Sequence, residues 1–255
     1  MDKIVFVIIY YIILVVLLCK IIFYIKSGTL KFYAEDYKSH EPTPGKYHII
    51  TLNTPNYDHI GCYGANILKQ YADKYGYTFE MYTENLDPNL HINYTKNLSI
   101  IDAIKKKWNT DIEYIVSIDS DIAIKNVIPL SSLFIEKPDA ILYAPRDYWE
   151  NPHEQIKGEA VINGGFTIWK KCKRAIEINK KWIELAKIEN EIQGKKVLQQ
   201  PVFTKYQSEI INPTELEFLD HKLVGMEYSL FVFQTKDTKK EWEKDGSPKL
   251  LKCAL

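Results

Sequence analysis

Tyr114-Ile115-Val116-Ser117-Ile118-Asp119-Ser120-Asp121 is the stretch on which the reading of this chain turns. An apolar strand runs straight into two carboxylates spaced i, i+2. Burying one such charge at a strand end is costly, and burying two that repel each other is worse. A divalent cation that bridges them to a diphosphate removes the difficulty. Hard oxygen ligands suit Mn²⁺ or Mg²⁺, and either ion neutralises charge as a diphosphate leaves. Taken alone, Asp-Ser-Asp also describes an acidic surface turn after a strand.

Working outward, apolar runs alternate with helical stretches. Lys46–Asn53 (KYHIITLN) reads as a first strand, followed by a helix near Asp58–Tyr75 that stops before Gly76. Tyr77–Tyr82 alternates as a second strand. Lys96–Trp108 has Leu98, Ile101, Ala103, Ile104 and Trp108 close to helical spacing, and Glu113–Ile118 is a buried strand. Ala140–Ala144 and Val161–Trp169 add strands, and Lys171–Glu191 returns to helix with Ile176, Ile183, Leu185 and Ala186 towards the core. This alternation predicts a layered α/β domain whose ligands bind at the carboxyl ends of strands. Asn53, closing the first strand, is therefore a candidate contact for a bound nucleotide.

The 33 basic and 33 acidic residues balance, which argues against nucleic acid as a partner. Of the cysteines, Cys19 lies in an apolar run; Cys62, Cys172 and Cys253 are widely spaced and form no C-x-x-C pair. Zinc-ribbon and thioredoxin chemistry are thereby disfavoured. A Cys62–Cys172 or a Cys172–Cys253 bridge is open on the sequence. A domain of about 200 residues buries enough surface to fold without one.

Residues 4–25 (IVFVIIYYIILVVLLCKIIFYI) are apolar but for Lys20. As a helix they would extend roughly 33 Å, enough to cross a bilayer core. Lys20 can snorkel to the headgroups. The run is longer than a signal-peptide core and lacks small residues at its end, so residues 1–25 are expected to be an uncleaved anchor. Residues 26–45 read as a stem and 46–255 as the domain. Lys20, Lys26 and Lys31 against Lys3 lean towards a cytosolic domain. The sequons Asn93-Tyr94-Thr95 and Asn97-Leu98-Ser99 lean towards a lumenal one.

From about His48 to Gly225 the chain resembles the GT-A glycosyltransferases, and among them the Golgi galactosyl-, xylosyl- and mannosyltransferases of family 34. Four segments carry the resemblance in the family's order: Tyr71-Ala72-Asp73-Lys74-Tyr75-Gly76-Tyr77; Lys96 followed by a helix and Ile118-Asp119-Ser120-Asp121; Ile162-Asn163-Gly164-Gly165-Phe166-Thr167-Ile168-Trp169; and His221-Lys222-Leu223-Val224-Gly225. The resemblance implies a Rossmann-like α/β/α sandwich, the nucleotide-diphospho-sugar transferase fold, preceded by a transmembrane helix. It implies that Asp119, Asp121 and His221 hold Mn²⁺ or Mg²⁺. Asp119 would also face the ribose, Lys96 the donor diphosphate or sugar, and Asn163 and Gly164 the sugar; Lys222, beside His221, is a further candidate for the donor. The donor would be a nucleotide-sugar, with UDP-sugars the commonest for this fold, and the acceptor a glycan or glycoprotein. The expected setting is a Golgi or ER type II membrane protein.

Two departures stand out. Where the family carries an acidic residue beside glutamine, this chain has Leu198-Gln199-Gln200-Pro201. Where it tends to place a lysine after H-x-x-G, this chain has Met226-Glu227-Tyr228. By resemblance the reaction retains configuration, with Gln199 or Gln200 lining the reacting face. An inverting enzyme would need a carboxylate base, for which Asp147 and Glu159 are candidates. Tyr148 and Trp149 could stack on an acceptor sugar. Two rivals are a haloacid-dehalogenase phosphatase, whose D-x-D ordinarily opens its domain, and a catalytically degenerate GT-A domain that binds a glycan or partner.

Overall fold

The structure, a computed structural model, describes residues 43–124, 127–146, 162–220, 223–225 and 232–234. The anchor expected over residues 1–25 and the stem up to residue 42 lie outside them. Among the described residues no helix is long and apolar enough to cross a membrane.

The first half of the domain alternates as the sequence predicts. Strand β1 (Tyr47–Leu52) leads through helix α1 (Asp58–Tyr75) to β2 (Thr78–Tyr82), and α2 (Thr95–Lys106) leads to β3 (Tyr114–Ile118). Helix α1 stops because Gly76 adopts φ 69° and ψ 27°, a left-handed cap that only glycine enters cheaply. The Tyr71–Tyr77 segment is thus a helix stop with a structural aromatic cluster. Tyr71, Tyr75 and Tyr77 pack on one another, and Tyr77 packs edge-on against Tyr47.

Short strand β4 (Ile122–Ile124) is followed by β5 (Leu142–Pro145), β6 (Phe166–Lys170), α3 (Lys173–Gln193), α4 (Gln199–Ile210), β7 (Leu216–Leu219), β8 (Val224–Gly225) and β9 (Val232–Gln234). The main sheet runs β2-β1-β3-β6-β5-β7, and β4-β9-β8 form a second, small sheet. In the main sheet β1, β2 and β3 are parallel, β5 and β7 are parallel, and β6 is antiparallel to both its neighbours. The carboxyl ends of the other five strands therefore gather along one edge, and β6 begins at that same edge.

Alternating side chains on the strands feed two cores. Ile50, Ile115, Leu142, Ala144, Trp169 and Leu216 meet α2, α3 and α4, with Trp182, Ile178, Ile104 and Phe203 among the partners. On the opposite face Tyr47, Tyr114 and Tyr143 stack with Phe134, and Tyr71 of α1 donates to the Ile128 carbonyl. Helices thus cover both faces, the three-layer α/β/α arrangement expected. Four details correct the sequence reading. Trp108 falls beyond α2, which ends at Lys106, and is 42% exposed, so the helical spacing does not run on to it. Residues 163–165 form a turn ahead of β6 rather than its first part. Cys172 carries a free thiol while Cys62 is disulfide-bonded, so neither bridge through Cys172 forms. Asn97 is fully buried inside α2, which excludes it as a glycan acceptor.

Candidate active site

β1 sends the chain outward to β2 on one side and, by way of α2, to β3 on the other. Between the ends of β1 and β3 the order of strands reverses, and open α/β sheets form their ligand crevice at such a point. A cleft of about 480 Å³ lies there. Leu52, Thr54 and Tyr57 follow β1, His91, Ile92, Asn93 and Lys96 lead into α2, and Asp119, Ser120 and Asp121 follow β3.

The acidic end of β3 is held in place by backbone as much as by side chains. The Asp119 amide donates to the Gly165 carbonyl at 2.8 Å, and the Gly165 amide donates to Asn163 Oδ1 at 2.7 Å. Asn163 therefore closes its own turn with its side-chain oxygen, as asparagine commonly does. Its amide in turn donates to the Pro145 carbonyl at 2.8 Å. Because β6 is antiparallel, this turn lies beside the acidic end of β3. Lys96 Nζ sits 2.6 Å from Asp119 Oδ1 and 3.4 Å from the Gly164 carbonyl, joining helix, strand end and turn.

Helix α1 closes the back of the site through one glycine. A Cβ on Gly61 would lie 1.9 Å from Asn53 Oδ1 and 2.6 Å from Ser120 Oγ. The helix can approach this closely only because residue 61 has no side chain. Asn53 is buried, and its amide nitrogen lies 3.9 Å from Cys62 Sγ, within reach of a weak bond to sulfur. Asn53 and Ser120, the middle residue of the acidic loop, thus lie against the same turn of α1. His91 Nδ1 accepts the Asn93 amide at 3.3 Å, which places the proton of the neutral ring on Nε2. Partial burial and then the Lys196 charge hold His91 below its ordinary pKa, favouring that neutral form.

The two glutamines open α4 one layer further in. Gln200 Nε2 donates to the Ile162 carbonyl at 3.0 Å, supporting the turn. Gln199 is buried, with its amide donating to Asn97 Oδ1 at 2.5 Å and its own carbonyl held by Trp182 Nε1 at 3.0 Å. A Cβ on Gly164 would come within 3.2 Å of Gln199 Oε1. Asn53, Lys96, Asp119, Asp121, Asn163, Gly164, Gln199 and Gln200 are therefore gathered at one edge. Asp147, His221 and Lys222 lie outside the described residues, as do Tyr148, Trp149 and Glu159. β7 ends at Leu219 on this same edge, two residues before His221.

Among the described residues no three His, Cys, Asp or Glu side chains gather to hold a metal. Asp119 and Asp121 offer two hard carboxylates at the cleft, a donor set that fits Mg²⁺ or Mn²⁺, since such ions take one or two carboxylates and complete their shell with phosphates and water. Reasoning from sequence overlooked Tyr57, His91, Asn93 and Gly61. The rule that ligands sit at strand ends at the reversal point would have found the first three. A glycine inside a helical pattern was the signal for the fourth.

No protein-family model matches the chain, and no curated protein matches it. Among solved structures, that of a glycosyltransferase involved in the glycosylation of the major capsid of PBCV-1 aligns with a TM-score of 0.60 at 16% identity, over 78% of this chain and 98% of that one. This chain shares the fold of that protein. At that identity the likeness carries the architecture, and the chemistry rests on the residues of the cleft.

Proposed function

We propose that the protein is a metal-dependent glycosyltransferase of the family 34 type that moves a sugar from a nucleotide-sugar, a UDP-sugar by preference, to a hydroxyl of a glycan or glycoprotein. The observation that carries this reading is the meeting of Asp119, Asp121 and Lys96 in a cleft at the strand-order reversal of a glycosyltransferase fold.

Asp119 and Asp121 would hold Mn²⁺ or Mg²⁺, with His221 as the third protein ligand. When bound, the cation offsets negative charge on the departing diphosphate. Lys96 is near enough to the same carboxylate to turn its ammonium onto the diphosphate as charge develops there, the electrostatic contribution expected to dominate. Lys222 would reach the same oxygens. The Asn163-Gly164-Gly165 turn presents backbone with no side chain at its centre, so a sugar can lie close against it. In the retaining reaction the bond between the sugar's anomeric carbon and the diphosphate oxygen breaks. The acceptor oxygen bonds to that carbon on the same face, and its proton passes to the departing phosphate. In an inverting reaction Asp147 would instead take the proton.

We place the domain in the lumen of the Golgi or ER, anchored by residues 1–25. The disulfide-bonded state of Cys62 supports that compartment, because disulfides persist where the environment is oxidising.

The test uses the full-length chain in detergent micelles against UDP-glucose, UDP-galactose, UDP-xylose and GDP-mannose, with and without Mn²⁺. Mn²⁺-dependent release of nucleoside diphosphate, reduced about 100-fold or more in Asp121→Ala, is the expected result. Binding of UDP or GDP without turnover, even with acceptor glycans supplied, would favour the degenerate binding domain. No binding of any nucleotide would sink the reading.

A further inference from the structure

A line of buried amides runs from α3 to the Gly164 turn, which the Lys96 side chain of the cleft reaches. Asn179 Nδ2 donates to the Ala175 carbonyl at 2.9 Å, Asn97 Nδ2 donates to Asn179 Oδ1 at 2.8 Å, and Gln199 Nε2 donates to Asn97 Oδ1 at 2.5 Å. Asn97 and Asn179 are fully buried and Gln199 is 4% exposed. The direction of this line is dictated by its far end. A backbone carbonyl can only accept, so Asn179 must present nitrogen to Ala175 and oxygen to Asn97. Asn97 must then present nitrogen to Asn179 and oxygen to Gln199. Gln199 is left with its nitrogen inward and its Oε1 outward, whatever way each amide is first drawn.

That outward oxygen has no donor among the described residues, and it lies against Gly164, where a side chain would begin 3.2 Å away. The Gly164 carbonyl is in turn 3.4 Å from Lys96 Nζ, which reaches Asp119. Resting on the glycosyl-donor reading above, we infer that Asn97 and Asn179 are positioning residues that lock Gln199 as a neutral hydrogen-bond acceptor for a hydroxyl of the donor sugar. The same polarity explains the departure from an acidic residue here. A carboxylate at 199 would set oxygen against Asn97 Oδ1, and no flip along the line relieves the clash while it ends on a carbonyl. The site therefore selects by accepting a hydroxyl's proton in a hydrogen bond, and a sugar lacking that hydroxyl leaves Oε1 unsatisfied.

The test separates the sugar from the nucleotide. On the full-length chain, calorimetry with Mn²⁺ measures affinity for UDP and for UDP-glucose, UDP-galactose and UDP-xylose, and the ratio for the best-bound sugar is the sugar's contribution. Asn179→Asp puts an oxygen against the Ala175 carbonyl; Asn179→Leu removes the anchor without adding one. Gly164→Ala leaves Asn97 and Asn179 in place and sets a methyl 3.2 Å from Gln199 Oε1, covering it. Each variant is expected to lower the sugar's contribution, about tenfold for Asn179→Asp, with UDP affinity held within about twofold. Thermal melting identifies any variant that fails to fold, and Gly164→Ala keeps the question answerable if both Asn179 variants do. A folded set in which UDP and UDP-sugar weaken together, or in which the ratio stays at the wild-type value, would overturn the inference and leave the donor reading standing. A wild-type chain that binds neither UDP nor any UDP-sugar would remove the donor reading and this inference with it.

Discussion

Two hollows of similar size among the described residues are each bordered by a lysine paired with a carboxylate, and they differ in what completes the carboxylate. In the cleft of about 480 Å³, Lys96 meets Asp119 at 2.6 Å, and Asp121 follows two residues on. In a hollow of about 410 Å³ between the end of α3 and the start of α4, Lys205 meets Glu189 at 2.5 Å. Glu189 is also an acceptor for Tyr206 Oη and Gln193 Nε2, so three donors from its own two helices converge on it. These bonds, that of Lys205 foremost, hold its pKa down to about 2. The Glu189 cluster is locally satisfied and fastens two helices. The Lys96 pair instead joins elements that meet only at the strand-order reversal, beside a second carboxylate that compounds the charge. A hollow of the right size is thus a poor guide to a site; the sequence distance of the groups that meet there, and the charge they leave to be offset, discriminate better.

A crossed pair of substitutions tests that contrast most sharply. Asp119→Asn is expected to weaken Mn²⁺-dependent nucleotide binding by about 100-fold while moving stability little, because the amide keeps the carboxylate's shape. Glu189→Leu is expected to cost about 2 kcal/mol of stability, read as a shifted urea midpoint at constant slope, and to leave nucleotide affinity alone. If Glu189→Leu abolished binding while Asp119→Asn did not, the two hollows would have to exchange roles.

Acid separates the fold's dependences by pH window. His48 lies buried between β1 and β2, its Nδ1 2.7 Å from Thr78 Oγ1 and its Nε2 3.4 Å from Glu80. Burial, and then the Lys107 charge, press its pKa from 6.5 to about 4, outweighing the pull of Glu80. The folded state thus keeps the neutral ring while the unfolded chain takes up a proton, so His48 contributes stability in full above pH 6.5 and loses it as pH falls towards 4. The loss is expected to approach roughly 3 kcal/mol, at about 1.4 kcal/mol per unit. Glu189, depressed by its hydrogen-bond donors rather than by burial, contributes above pH 4.5 and loses its share as pH falls through about 2. Urea titrations of the wild type and His48→Gln should diverge between pH 7 and 4; parallel curves there would show that His48 does not titrate as argued.

The smallest effect expected is the most telling in sign. Gly61 lies inside α1, where alanine ordinarily adds about 1 kcal/mol of helix stability. Here the new methyl would overlap Asn53 Oδ1, so Gly61→Ala should destabilise by about 1 kcal/mol and weaken nucleotide binding as Asn53 and Ser120 shift. A stabilised variant with unchanged binding would show that α1 does not support the acidic loop.

Local signals were legible and convergent ones were not. Gly76 ended α1 where a glycine after an apolar period should, and Asp119 and Asp121 stood at a strand end as their spacing implied. Helix α4 escaped notice because Gln199-Gln200-Pro201 reads as a loop. Proline is tolerated in the first turn, where no amide partner is lost, and Tyr206 at φ −119° breaks the period further on. Asn97 read as part of a sequon, yet it is buried by a partner, Asn179, that lies 82 residues away. No window of sequence contains both ends of such a bond.

The reversed strand β6 has one further consequence. β5 ends and β6 begins side by side, joined by the Arg146–Ile162 bridge and by the bond from Asn163 to Pro145. Residues 147–161 are therefore carried on a base that is already closed within the sheet. Lengthening such an excursion is thermodynamically cheap, about 0.6 kcal/mol for each doubling. Evolution can exchange this passage as a cassette while the strand ends that hold the cleft together stay in register.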